Sequence, residues 1–395
     1  MDYQTIKQND EKCCTQNYGR YPVAFDYGKG SLLYDYKGKE YVDFASGIGV
    51  NSVGYANPHW VEAVSRQAGK LAHVSNLFYT EPYSTLAQRL TALAGMKATF
   101  FCNSGAEANE AAIKLARKYS QDKYGEGRSV IVTLNQSFHG RTMATLTATG
   151  QPDYHKHFAP FMEGFRYVKA NDGEVLEQAI ASDVCAIMVE GIQGEGGVIP
   201  LENAYVKKLE TLAAEHDILL IFDEVQTGNC RTGDFFSYQG FGVLPDLVTT
   251  AKGLGGGLPI GALLVNEKCR SILSSGTHGS TFGGNPIACA GANAVLDIIE
   301  ADGFSEQVKR KGEKIRQTIV GWELPIIKEV RGKGLMLGIE ITDMSVKEIV
   351  ADLLTKGLVL LTAGSNVLRL LPPLTITDRE IDRGLQILYE HLVEL

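Results

Sequence analysis

The chain has 395 residues, 44% of them apolar, and a formal net charge of −8, so it can hold two domains with large cores. The acidic balance and the lack of a basic run argue against nucleic acid as a partner, and no apolar stretch approaches the ~18 residues of a membrane span. The N-terminus has no basic-then-apolar signal pattern, and seven cysteines without CxxC spacing predict a reduced, cytoplasmic chain with structural thiols.

In chain order, Ser31–Tyr36 and Glu40–Phe44 around Lys37-Gly38 predict a β-hairpin. Thr99–Cys102 reads as a strand running into a helix near Ala106–Tyr119, where Ala108, Ala111, Ala112, Leu115 and Ala116 fall at helical spacing. Further strands are predicted at Ser129–Leu134, Val184–Val189, Ile218–Phe222, Leu247–Thr250 and Ala262–Val265, with an amphipathic helix over Ala204–His216. Such alternation predicts an α/β fold with a mostly parallel sheet covered by helices. The last third mixes helices (Asp297–Val320, Val346–Lys356) with short strands near Leu335–Ile339 and Val367–Leu370. The expected organisation is a large central domain, 56–285, and a smaller α+β domain built from both chain ends, 1–55 and 286–395.

Residues able to do chemistry gather at the ends of these strands, where ligands bind in open α/β sheets. Asp223 follows one apolar run. Lys252 ends another and precedes the glycine-rich 253–257. A lysine that bonds an aldehyde and a carboxylate that holds a pyridinium nitrogen are the groups a pyridoxal phosphate enzyme most needs. Asn103-Ser104-Gly105-Ala106-Glu107 marks a strand-to-helix turn whose free N–H groups favour an anion; the Ser104–Glu107 spacing equally fits a plain capping box. After the strand at Ser129–Leu134, Phe138 suits stacking on a ring and Arg141 suits a carboxylate, or the two are a buried aromatic and a surface cation. Arg369, in an apolar setting, wants a carboxylate, from a ligand or from a structural ion pair. Glu190 and Glu195 flank a glycine-bearing loop and either pair with Arg369 or Arg141 or cap that loop. Ser280 and Thr281, within Gly279–Pro286, offer hydroxyls to a phosphate or form an ordinary turn. No GxGxxG or GxxxxGK[ST] sequence occurs. His155-Lys156-His157 is expected to face solvent, and no metal site is expected.

Across nearly its whole length the chain resembles the class III aminotransferases, and among them the acetylornithine aminotransferases. The resemblance rests on Asn103–Glu110, Phe138-His139-Gly140-Arg141, Phe222–Gly228, Ala251-Lys252-Gly253, Gly279–Pro286 and Leu368–Leu374, in that order. It implies the pyridoxal-phosphate fold type I and a homodimer with two shared active sites. By the same resemblance Lys252 bonds the cofactor aldehyde and moves the proton, and Asp223 partners the ring nitrogen. Gln226 contacts the ring hydroxyl, Val225 and Phe138 pack on the two ring faces, and Ser104, Gly105 and Ala106 bind the phosphate. Thr281, with Ser280 beside it, reaches the phosphate bound by the other subunit.

On the substrate side, the resemblance implies that Arg141 takes the distal carboxylate of both substrates and Arg369 the 1-carboxylate of 2-oxoglutarate. Glu195 masks Arg369 while the amino donor is bound. Tyr18 lies near the donor's α-substituent. Ile48 replaces a tyrosine of the ornithine aminotransferases, which disfavours free ornithine. Gly191 replaces a usual proline, which predicts a more mobile loop ahead of Glu195. The implied reaction moves the terminal amine of N2-acetyl-L-ornithine to 2-oxoglutarate, in arginine biosynthesis. Succinylornithine, ornithine or 4-aminobutyrate are the alternative donors. A non-catalytic pyridoxal-phosphate regulator is the alternative of another class, although no basic helix-turn-helix extension is present.

Overall fold

A computed structural model describes residues 2–395. Its centre is a seven-stranded sheet. In chain order the strands are β1 (Ala98–Cys102), β2 (Val130–Leu134), β3 (Phe165–Val168), β4 (Val184–Val189), β5 (Leu219–Asp223), β6 (Leu247–Thr250) and β7 (Gly261–Val265). Their spatial order is β1-β7-β6-β5-β4-β2-β3. Neighbours from β6 to β3 pair in parallel, whereas β7 is antiparallel to both β6 and β1. Six strands therefore point the same way, and β7 runs against them.

Both faces of this sheet are buried, as a parallel sheet requires. Alternate residues separate cleanly. Val132, Ile187, Leu220, Phe222, Val248 and Leu264 enter one core with Leu86, Leu90, Val206 and Leu209. Ile131, Ala186, Met188, Leu219, Ile221, Leu247 and Leu263 enter a second core with the alanine-rich face of the helix Gly105–Tyr124. The small side chains Ala111, Ala112 and Ala116 let that helix lie close against the strands. Asn109 and Ser120 are buried polar residues on that helix, and Asn109 is the one nearest its start.

The chain ends meet in two smaller sheets. Phe25–Lys29, Leu32–Asp35 and Glu40–Asp43 form a meander, and the C-terminal strand Leu358–Val359 joins its edge in parallel. Ile327–Lys333, Met336–Ile341, Val367–Leu370 and Leu361–Ala363 form the other. The expected hairpin is thus part of a larger sheet. The helix expected over Asp297–Val320 is two helices, Pro286–Ile299 and Phe304–Val320. Gly303 interrupts them at φ +75°, a left-handed conformation that glycine adopts at little cost. The N-terminal helix Tyr3–Cys13 was not expected: it buries no residue, so it lacks the apolar stripe that betrays a helix in sequence.

Two further expectations change. In the run His155-Lys156-His157, Lys156 and His157 are exposed, but His155 is partly buried, with its Nε2 2.8 Å from the Leu146 carbonyl oxygen. The loop at Gly191 is not loose. Residues 190–194 are buried, and Ile192–Gln193 pairs with Ile199–Pro200. A Cβ on Gly191 would stand 2.2 Å from Ser237 Oγ. That hydroxyl cannot turn away freely because it donates to the buried Glu224 at 2.6 Å. Gly191→Ala is expected to cost about 1–3 kcal/mol by overpacking, read as a lower unfolding midpoint in urea; an unchanged midpoint would mean that Ser237 yields.

Candidate active site

Because six strands share a direction, β1, β2, β4, β5 and β6 all deliver their next residues to one edge of the sheet. Those residues are Asn103–Ala106, Ser137–Arg141, Glu190, Asp223–Gln226 and Ala251-Lys252. They surround a cavity of ≈ 480 Å³. The antiparallel β7 starts at the same edge, so Gly257–Ile260 complete the wall. Of the residues expected at the site, Ser104, Gly105, Ala106, Phe138, Arg141, Asp223, Val225, Gln226 and Lys252 line the cavity. Tyr18, Ile48, Glu195, Ser280, Thr281 and Arg369 do not.

Asp223 is the buried anion at the cavity floor, 3% exposed. Its Oδ2 accepts from Asn109 Nδ2 at 2.7 Å and lies 2.8 Å from His139 Nδ1, and its Oδ1 accepts from the Val225 N–H at 3.0 Å. Asn109 is itself fixed. Its Oδ1 accepts from Thr249 Oγ1 at 2.6 Å, and its Nδ2 also donates to the His139 carbonyl at 2.7 Å. Three strand ends and one helix thus converge on a single carboxylate. Sequence reading missed Asn109, His139 and Thr249. The available signal was Asn109 itself, a lone amide on an otherwise alanine and leucine face.

The helix Gly105–Tyr124 starts beside the cavity with its N–H groups open to it. Ser104 caps it, accepting from the Glu107 N–H at 3.2 Å, and Glu107 in turn accepts from the Asn103 N–H at 2.7 Å. Capping and anion binding are compatible here, because these bonds use only two of the amides at the turn. A Cβ on Gly105 would meet Val225 Cγ1 at 2.6 Å, so glycine allows Val225 and the helix start to close together on one ligand.

Lys252 faces these groups from the end of β6. Its backbone holds φ +44°, a strained conformation for a side-chain-bearing residue of the kind that collects at active sites. Burial holds its amine below the ordinary lysine range, although the carboxylates of Glu195, Asp223 and Glu190 oppose that shift.

The two arginines differ. Arg369 is 3% exposed and forks onto Glu195, with Nη1–Oε1 2.5 Å and Nη2–Oε2 3.3 Å. Gln226 sits between them, accepting from Arg369 Nη1 at 3.0 Å and donating to Glu195 Oε1 at 3.3 Å. Burial is the largest influence on the Glu195 carboxyl and raises it, but the charge and hydrogen bonds of Arg369, with Lys252 and Gln226, together hold the group below the ordinary range. Arg141 is exposed and stacks on the Tyr154 ring at 3.8 Å. Among the described residues it has no carboxylate partner. Ser280 Oγ accepts from Asn103 Nδ2 at 3.1 Å and from the Gly283 N–H at 3.0 Å, and Thr281 is exposed. Ile48 is 44% exposed at φ +65°, and Tyr18 is 68% exposed.

Pyridoxal phosphate fits this set of groups. A buried carboxylate with no cation beyond a histidine suits a pyridinium N–H. The apolar Val225 and the aromatic Phe138 suit a flat ring, the helix start suits a phosphate, and Lys252 supplies the amine.

Residues 14–392 match the family described as Aminotransferase class-III. An acetylornithine aminotransferase of Haemophilus ducreyi is 50% identical over 397 residues, covering all of both chains. Among solved structures, the N-acetylornithine aminotransferase of Stenotrophomonas maltophilia is 37% identical at a TM-score of 0.85, with 98% of each chain covered. The ornithine aminotransferase of Toxoplasma gondii is 32% identical at a TM-score of 0.96, covering 100% of this chain and 96% of that one. With a lysine, an aspartate and a helix start gathered at its strand ends, the chain belongs to the class III aminotransferases, which depend on pyridoxal phosphate.

Proposed function

We propose that this enzyme moves the terminal amino group of N2-acetyl-L-ornithine to 2-oxoglutarate, giving N-acetyl-L-glutamate 5-semialdehyde and L-glutamate, reversibly, within arginine biosynthesis. The observation that carries the substrate pair is the Arg369–Glu195 fork beside a cavity whose mouth holds the unpaired Arg141. The full-length similarity to acetylornithine aminotransferases supports it.

The two substrates make opposite demands. The donor brings its reacting amine far from its only carboxylate. The acceptor, 2-oxoglutarate, carries a carboxylate next to the reacting carbonyl as well as a distant one. Arg141 takes the distant carboxylate of either. An uncovered Arg369 would also seize the donor's carboxylate and turn the molecule end for end. Glu195 prevents this by occupying the guanidinium fork, and 2-oxoglutarate displaces it with a carboxylate of its own.

When bound, pyridoxal phosphate supplies an aldehyde for the amine and a ring that spreads the electrons of the broken C–H bond. The protein does the rest. Lys252 Nζ, whose burial favours the free amine, would accept the proton from the substrate carbon and return it on the cofactor side. Asp223, held by Asn109 and His139, would keep the ring nitrogen protonated. Phe138 and Val225 would flank the ring plane, and the amides after Ser104 would hold the phosphate.

The surface around Thr281 carries Phe282, 61% exposed, and the nearby segment with Leu77 and Phe78, 85% and 65% exposed. Asn76 ties the two segments, donating to the carbonyls of Ser280 and Gly283 at 3.0 Å. A second copy of this chain covering that apolar patch, with Thr281 reaching the neighbouring phosphate, fits this surface. A cytoplasmic location fits seven unbridged cysteines. Among the described residues no helix is long and apolar enough to cross a membrane.

Lys252→Ala is expected to abolish the visible absorbance of the bound cofactor and all turnover, and N-acetylornithine is expected to bleach that absorbance in the native enzyme where ornithine and 4-aminobutyrate do not. Bleaching by 4-aminobutyrate alone would reassign the donor. Glu195→Gln weakens the mask on Arg369, so stopped-flow rates with 2-oxoglutarate should hold while those with the amino donor fall; equal rates in both halves would refute the gate. Asn109→Ala removes a charge-assisted bond to Asp223, and kcat should drop by about ten- to a hundredfold, measured in steady state with saturating cofactor.

A further inference from the structure

Glu190 is a buried acid that the transfer chemistry above does not use. It follows β4 directly, is 4% exposed and lines the cavity. Its Oε2 accepts from the Phe138 N–H at 3.0 Å. Its Oε1 has no hydrogen-bond partner among the described residues, yet is not sealed off, so it opens toward the cavity. No cation forks onto it. The titratable groups that act on it are the carboxylates of Asp223 and Glu195 and the amine of Lys252, with Arg369 paired to Glu195.

We infer that Glu190 is a positioning residue that ties Phe138, and with it one wall of the ring site, to the end of β4, and that it keeps its proton while doing so. The inference rests on the aminotransferase reading, because it assigns Phe138 to a ring face.

Two independent arguments support it. A buried carboxylate is costly unless several donors or a cation satisfy it, and Glu190 has one backbone N–H. Burial first, and then the charge of Asp223, push its carboxyl well above the ordinary glutamate range, with Lys252 opposing. The second argument concerns Lys252. An ionised Glu190 would stabilise the ammonium form of that lysine, and a lysine that must accept protons works only as the free amine. A neutral Glu190 thus supplies a fixed acceptor for Phe138 without adding a third negative charge to the site.

Glutamine reproduces this neutral acceptor, and leucine removes it. Holoenzymes of Glu190→Gln and Glu190→Leu are compared with the native protein by cofactor dissociation constant and by pH titration of the visible absorbance. Glu190→Gln should bind pyridoxal phosphate within about twofold of native, and Glu190→Leu about tenfold more weakly, the cost of one buried bond. The titration midpoint of Glu190→Gln should match native. A Glu190→Gln protein as weak as Glu190→Leu, or a midpoint moved by about one pH unit, would show that the charge matters and overturn the inference; so would native affinity in Glu190→Leu. If Glu190→Leu does not fold, the glutamine affinity and midpoint decide alone. Native protein that takes up no coloured cofactor would instead sink the aminotransferase reading.

Discussion

A single buried negative charge organises this molecule. Asp223 sits at the end of a central strand, away from solvent, and must be satisfied there. The groups that satisfy it come from the helix Gly105–Tyr124, from the loop after β2 and from its own turn, and Thr249 at the end of β6 braces them. Satisfying one carboxylate therefore ties the start of that helix, the segment that carries Phe138 and the end of β6 that leads to Lys252 to one point. The contacts that offset the burial of Asp223 also assemble the walls of the cavity.

A second charge problem sits beside the first. Arg369 is buried as deeply as Asp223, yet its partner Glu195 keeps some exposure, 21% of its side chain. The pair is thus a buried cation whose counter-ion water reaches from one side. Gln226 touches both members and also lines the cavity. Cavity and ion pair are adjoining parts of one hydrogen-bonded array.

Much of this was legible in the sequence, for identifiable reasons. The central strands are continuous apolar runs whose ends are marked by Asp223, Lys252, Glu190 and the Asn103–Glu107 turn, so parallel alternation places those residues together without further information. What stayed hidden depended on contacts between distant segments. Asn109 and Thr249 look ordinary until the helix that carries Asn109 packs on the strands that carry Asp223 and Thr249. Gly191 reads as a flexible point in a loop, whereas its missing side chain makes room for Ser237. Gly303 splits a helix whose charged sequence otherwise continues at helical spacing. The helix Tyr3–Cys13 has no apolar face and gave no periodic signal.

The reversed strand β7 carries one more consequence. Since it starts at the edge where β6 ends, residues 251–260 form a short bridge pinned at both ends by the same sheet. Ser52 Oγ and Trp60 Nε1 hold the bridge further, donating to the carbonyls of Gly253 and Gly255 at 2.6 and 3.0 Å. Lys252 is therefore held on a very short leash, its backbone fixed by the sheet on both sides and by Ser52 and Trp60 between. Whatever group its amine meets in this cavity it meets as an intramolecular partner, at a high local concentration.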